Sequence, residues 1–214
     1  MLKASFCAVW VLPLAIAAAA SAETCFDTPL EPGARDYPVI VDTDEPREGP
    51  LVIGNCTLEP GADCPGVDLS HADLRGVQLN GANLRGAKLT RADLSDSILK
   101  GVDFSGADLR GAVLTKSFMQ GMTAIDADFT GANLDFSRLA GAELQGANLT
   151  AVSMEASWAP KVRLVGATIR ASNLQETKFY NADLAGAVME DNNIRFAIWE
   201  GAHMENCQGC PVDW

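Results

Sequence analysis

The sequence predicts an all-β solenoid, and three counts predict it. From Cys64 to Met204 every fifth residue is uncharged and almost always large and apolar: sixteen Leu, four Met, three Phe, two Ile, two Ala, one Cys and one Trp. The register runs through 29 units, 145 residues, without insertion or deletion. With that residue called i, position i−2 holds sixteen Ala, five Val, five Ser and single Thr177, Met122 and Asn192. All 31 charged residues between Asp63 and Glu205 fall on the other three positions. Random placement would do that roughly once in ten million, which settles the period.

A period of five belongs to neither a helix (3.6) nor a strand (2). Residues i−2 and i are two apart, so on an extended segment both point to one side. The chain must then turn before the next unit. Position i+2 is often Gly, as at Gly76, Gly81, Gly86, Gly101, Gly106 and Gly111, and Gly accepts turn angles that other residues resist. Each unit is therefore one short side of a coil, with a small and a large side chain inside. A chain that buries side chains at a fixed short period, indefinitely, stacks into a solenoid.

Stretches such as Ala72-Asp73-Leu74-Arg75-Gly76, Ala82-Asn83-Leu84-Arg85-Gly86 and Ala147-Asn148-Leu149-Thr150 resemble the pentapeptide repeat family, A-(D/N)-L-x-x. The resemblance covers residues 62–206. It implies a right-handed quadrilateral β-helix with four units per coil, hence about seven coils, a rod ~35 Å long at the inter-strand spacing.

The ends read differently. Lys3 precedes an uncharged stretch from Ala4 to Ala22 that closes on Ala20-Ser21-Ala22, the pattern of a secretory signal peptide cleaved after Ala22. Nineteen uncharged residues also nearly span a bilayer; the small-residue end and Pro13 favour cleavage. The expected location is periplasmic or secreted, with no membrane association once the signal is removed. Residues 23–61 form an acidic leader with nine acids against two bases, interrupted by Pro29, Pro32, Pro38, Pro46 and Pro50. Val39-Ile40-Val41 or Leu51-Val52-Ile53 is the candidate strand to cap the open first coil. Residues 207–214 form the C-terminal cap. The chain carries a net charge of −12. Nucleic-acid binding, which needs a basic surface, is not expected.

Five cysteines follow the signal segment: Cys25, Cys56, Cys64, Cys207 and Cys210. A disulfide needs Cα atoms within ~7 Å, so none can join Cys64 to the pair at the far end of the rod. In an oxidising compartment Cys207 and Cys210 are the candidate disulfide, stapling the C-terminal cap. A redox role for this C-x-x-C lacks the βαβ context it needs. Three pairings are open among Cys25, Cys56 and Cys64; Cys56–Cys64 is the most local. The same separation excludes a four-thiolate zinc site.

No catalytic constellation emerges, and no metal or cofactor is expected. The two histidines, His71 and His203, fall near opposite ends of the repeat. Asp recurs at i−1, for example at Asp73, Asp93, Asp103 and Asp108. Such residues belong to the repeat, facing solvent or capping local turns, and are weak candidates for acid–base work.

One face departs from this polar pattern. With four units per coil, residues 20 apart stack. On the face centred on Leu79, Leu99, Met119, Leu139, Ala159, Phe179 and Trp199, position i−1 reads Gln78, Ile98, Phe118, Arg138, Trp158, Lys178 and Ile198. The preceding corner adds Phe136 and Phe196. Ile98, Phe118, Phe136, Trp158, Phe196 and Ile198 form a candidate interaction patch, for a protein partner or for self-association. Three other readings stay open. Trp158 could fold inward over the small Ala159, Phe196 and Ile198 could lie under the C-terminal cap, and the leader could cover the strip.

Two functions are carried forward. The first is a non-catalytic exported protein, acting as an interaction or structural module. The alternative, which the resemblance implies, is a DNA-mimicking inhibitor or protector of a type II topoisomerase; the export signal and the mild acidity of the rod count against it. Fold alone does not choose.

Overall fold

The structure is a computed structural model and describes residues 49–211. The signal segment, the candidate strand Val39-Ile40-Val41, Cys25, most of the acidic leader and the last three residues of the C-terminal cap lie outside the described residues.

The described chain is a repeat β-solenoid. Parallel bridges join residues 20 apart along its whole length: Asp63 to Asn83, Asp68 to Lys88, Asp73 to Asp93, Gln78 to Ile98, and onward in the same four columns. Most rungs are single bridges. Each side is only a few residues long before the chain turns, so few residues qualify as a formal strand. Four do extend. β1 (Leu51–Ile53) and β2 (Cys56–Leu58) form an antiparallel hairpin before the first unit. β3 (Thr168–Arg170) and β4 (Val188–Glu190) pair in parallel on one column.

The backbone of one unit accounts for the repeat. The N–H of Asn83 donates to Ala62 one coil back (2.7 Å), and that of Leu84 to Asp103 one coil on (2.8 Å). The N–H of Gly86 reaches Ser105 (2.9 Å), and that of Ala87 closes the turn on the carbonyl of Leu84 (3.1 Å). Only the N–H at i+1 has no backbone acceptor. The side chain at i−1 supplies one: Asn83 Oδ1 accepts from Arg85 N–H at 3.2 Å. The same Asx turn recurs at Asp68, Asp73, Asp93, Asp108 and Asp128. Asp and Asn thus dominate i−1 because they satisfy the one donor that the coil leaves over.

The corners are all left-handed. Position i+2 has φ between 50° and 71° in every unit, whether it is Gly or one of fifteen other residues from His71 to Asn206. With the turn bond from i to the next i−2, this is the type II requirement. No Val, Ile or Thr stands at a non-Gly corner, as expected where a branched Cβ would clash.

The core is one continuous column. Leu109 and Leu134 are fully buried, and Phe104, Phe129 and Phe179 are among its largest members. Where unit order inverts, volume is kept: Met122 takes i−2 and Ala124 takes i, both fully buried. Buried hydroxyls at i−2 are satisfied by carbonyls, as in Ser117 Oγ to Leu114 and Thr177 Oγ1 to Met154, both 2.6 Å. Both ends carry disulfides, Cys56–Cys64 and Cys207–Cys210, with Cα atoms 5.7 and 5.8 Å apart. Cys56 and Leu58 of β2 are buried and Leu51 and Ile53 pack against the core, closing its N-terminal end. No helix among the described residues is long and apolar enough to cross a membrane.

Candidate interaction surface

The i−1 residues of the Leu79 face form one unbroken ladder. Gln78 bridges Ile98, then Phe118, Arg138, Trp158, Lys178 and Ile198 follow rung by rung. Because i−2 and i point inward, these side chains point out. Trp158 is 48% exposed, and at the adjoining corner Phe136 and Phe196 are 57% and 62% exposed. Ile98, Phe118 and Ile198 are half-buried by their neighbours.

Two of the readings left open for this strip do not fit the described residues. Trp158 does not turn inward. Its backbone is held in register between Arg138 and Lys178, which fixes its side chain outward, and fully buried Phe179 follows Ala159 in the core column. Phe179 in turn stacks on Trp199, ring centroids 4.4 Å apart. Phe196 is not covered by the described part of the C-terminal cap. Its left-handed corner, φ 61°, directs it outward.

Cations interleave with the rings. Arg138 lies 5.3 Å and Lys100 lies 6.0 Å from the centroid of Phe118. Arg195 covers Phe196 at 4.6 Å. Trp158 leans on Tyr180, centroids 5.7 Å apart and planes tilted by 53°. Phe136, Ser137, Arg138, Ala156 and Trp158 line a shallow depression. Sequence reasoning marked the apolar residues and missed Tyr180 and the ring-bound cations. Tyr180 sits at i+1, a position that is polar in most units.

Charge is arranged differently on the rest of the rod. There Arg85 pairs with Asp103 (3.0 Å), Arg163 with Glu143 (3.4 Å) and Arg170 with Glu190 (3.2 Å). Arg110 grips Asp108 through two nitrogens, at 2.8 and 2.7 Å. By contrast Lys100, Lys116, Arg138, Lys161 and Lys178, on the Leu79 face and its corners, are in no ion pair among the described residues.

The acidic positions do not converge. The hydrogen bonds from Arg110 lower the Asp108 carboxyl to about 2, against the opposing effect of burial. Asp68 is lowered by the hydrogen bonds it accepts from Ser70. A general acid needs the opposite shift. His203 Nδ1 stands 3.0 Å from Asp183 and Nε2 stands 3.5 Å from Glu205. The hydrogen bond that the protonated ring donates to Asp183 and the charge of both carboxylates raise its pKa. No cluster fit for a metal ion occurs among the described residues.

The family model described as pentapeptide repeats matches residues 60–91, 87–121 and 123–157, in eight copies. The chain is also similar to several solved structures. HetL, a pentapeptide repeat protein involved in heterocyst differentiation regulation from the cyanobacterium Nostoc sp. strain PCC 7120, is 24% identical, with 70% of this chain and 85% of that chain covered, at a TM-score of 0.40. A trypsin-treated variant of QnrB1, a plasmid-mediated fluoroquinolone resistance protein, is 25% identical, covering 72% and 78%, at a TM-score of 0.48. Alr5209, a pentapeptide repeat protein from Nostoc PCC 7120, is 31% identical over 40% of this chain and 69% of its own, at a TM-score of 0.38. No curated protein matches the chain. With the five-residue register unbroken from Cys64 to Met204 and the family model matched between residues 60 and 157, this chain belongs to the pentapeptide repeat family.

Proposed function

We propose that this protein is a non-catalytic, exported interaction or structural module that docks a protein partner, or a second copy of itself, through the Leu79 face. The observation that carries the reading is the outward ladder from Ile98 to Ile198, with Trp158, Phe136 and Phe196 about half exposed or more. The core does not need those side chains, and exposed aromatics gathered on one face mark interaction surfaces. Export to the periplasm or beyond rests on the sequence from Lys3 to Ala22 and fits two disulfides at the ends of the rod. The finer architecture proposed with it is a right-handed, four-sided coil of about seven turns.

The topoisomerase alternative requires a surface dominated by acid. Between Asp63 and Glu205 the rod sets 18 acids against 13 bases, and much of its charge is neutralised in pairs. Replacing both Phe118 and Trp158 with Ser tests the docking reading, with oligomeric state and partner capture from an envelope fraction as readouts. Loss of association in a folded double variant is the expected result. Unchanged association, or a direct effect of the wild-type chain on gyrase supercoiling, contradicts it.

A further inference from the structure

We infer that the partner segment recognised by the Leu79 face is an acidic peptide stretch carrying aliphatic or aromatic side chains; this rests on the docking reading above and names its chemistry.

The inference comes from charge segregation. The chain as a whole is strongly acidic, at −12. On this face and its corners five bases face three acids: Lys100, Lys116, Arg138, Lys161 and Lys178 against Asp96, Glu176 and Glu200. None of the five bases is ion-paired among the described residues, whereas six of the eight bases elsewhere on the rod are (Arg75, Arg85, Lys88, Arg110, Arg163 and Arg170), Arg91 and Arg195 being the exceptions. The face therefore holds positive charge that the protein itself leaves uncompensated.

That charge is placed among the rings. Lys100 and Arg138 both lie on Phe118, so each cation is partly desolvated on its ring side and open to an anion on the other. Along the ladder the order is Phe118, Arg138, Trp158, Lys178, Ile198, one per rung. Apolar and cationic positions alternate at about 4.8 Å steps. A segment lying along this ladder meets its best match when carboxylates and apolar side chains alternate too. Complementary charge speeds encounter and selects the partner, while the apolar anchors hold it.

A protein fits better than an acidic polysaccharide. Sugars stack on flat exposed indole or phenol rings, and the one exposed indole among the described residues, Trp158, is tilted by 53° against Tyr180. The remaining apolar positions are Ile and Phe.

The test is selection from a random 12-residue peptide display library against the full chain. Two variant pairs serve as counter-targets: Phe118→Ser with Trp158→Ser, and Arg138→Gln with Lys178→Gln, each checked for a wild-type far-UV spectrum. The expected consensus pairs Asp or Glu with Leu, Ile, Phe or Trp. A synthetic consensus peptide should bind about tenfold more weakly to either variant pair, and should weaken with salt for the wild type. Neutral or basic peptides that still need Phe118 and Trp158 would overturn this inference and leave the docking reading standing. Peptides indifferent to both pairs would overturn both. Binding of a uronic-acid polymer or of anionic vesicles in place of peptides overturns the peptide assignment.

Discussion

Phe179 and Trp199 stack inside the last coils with ring centroids 4.4 Å apart and planes within 7° of parallel. Both are buried. They belong to the same column as Ala159, so two large rings follow the smallest core residue of the face.

This pairing separates two tryptophans that look alike in composition. Trp199→Ala removes a buried ring and should destabilise by about 3–5 kcal/mol. Trp158→Ala trims an outward ring and should cost about 1 kcal/mol or less. Urea unfolding followed by far-UV circular dichroism reads both. Equal losses would show that Trp158 belongs to the core after all.

The corners give a second test. Ala171 has φ 50°. Ala171→Gly should hold or raise stability by up to about 1 kcal/mol, and Ala171→Val should lower it by about 1–3 kcal/mol. Gly209, at φ 72°, has the Met189 carbonyl where a Cβ would go. Since that neighbour is backbone, Gly209→Ala should loosen the C-terminal end. Thermal melts and hydrogen exchange at residues 187–210 check these outcomes.

The Asx turns explain the acidic column without function. Asp128 Oδ1 accepts from the N–H of Thr130 at 2.9 Å and from its hydroxyl at 2.6 Å. Asp128→Asn should be near neutral, because the amide oxygen can accept both. Asp128→Ala should cost about 1 kcal/mol. A chemical melt in which Ala and Asn behave alike would refute the capping role.

Two groups report on pH. Asp183, and secondarily Glu205, raise the pKa of His203 above its ordinary 6.5. Its interaction therefore stabilises fully below pH 6.5 and is lost as pH rises through the raised value. A carbon-bound proton titration should place the His203 midpoint above 6.5 and return it towards 6.5 in Asp183→Asn. Asp108 behaves oppositely. Held at about 2 against an ordinary 3.8, it contributes above pH 3.8 and loses that contribution as pH falls through about 2.

Much of this was legible because the repeat is strict. The inward Leu and Ala, the turn after each centre and the 20-residue stacking all come from one period, and Leu109 and Leu134 are buried accordingly. The corners were only half legible. Gly marked fourteen of them, but Phe136 and Lys161 adopt the same left-handed angle, because the inter-coil hydrogen bonds on either side impose it. The ladder from Gln78 to Ile198 followed from arithmetic. The cations on Phe118 did not: Arg138 is the next rung of the same ladder and Lys100 stands in the i+1 column, and both meet the ring only through side-chain reach. The Cys56–Cys64 bond was one of three open pairings; it ties Cys56 of β2 to Cys64, the first core position of the repeat.

The most direct measurement is a disulfide scan across the coil. Thr123 and Glu143 are bridged neighbours on one column, while Asn133, ten residues from each, lies on another column. Thr123→Cys with Glu143→Cys should close a disulfide under mild oxidation, seen by peptide mass mapping, because adjacent rungs place Cα atoms about 4.8 Å apart. Thr123→Cys with Asn133→Cys should stay reduced. A bond in the second pair, or none in the first, would contradict a coil of four five-residue sides, and with it the single face on which the docking strip depends.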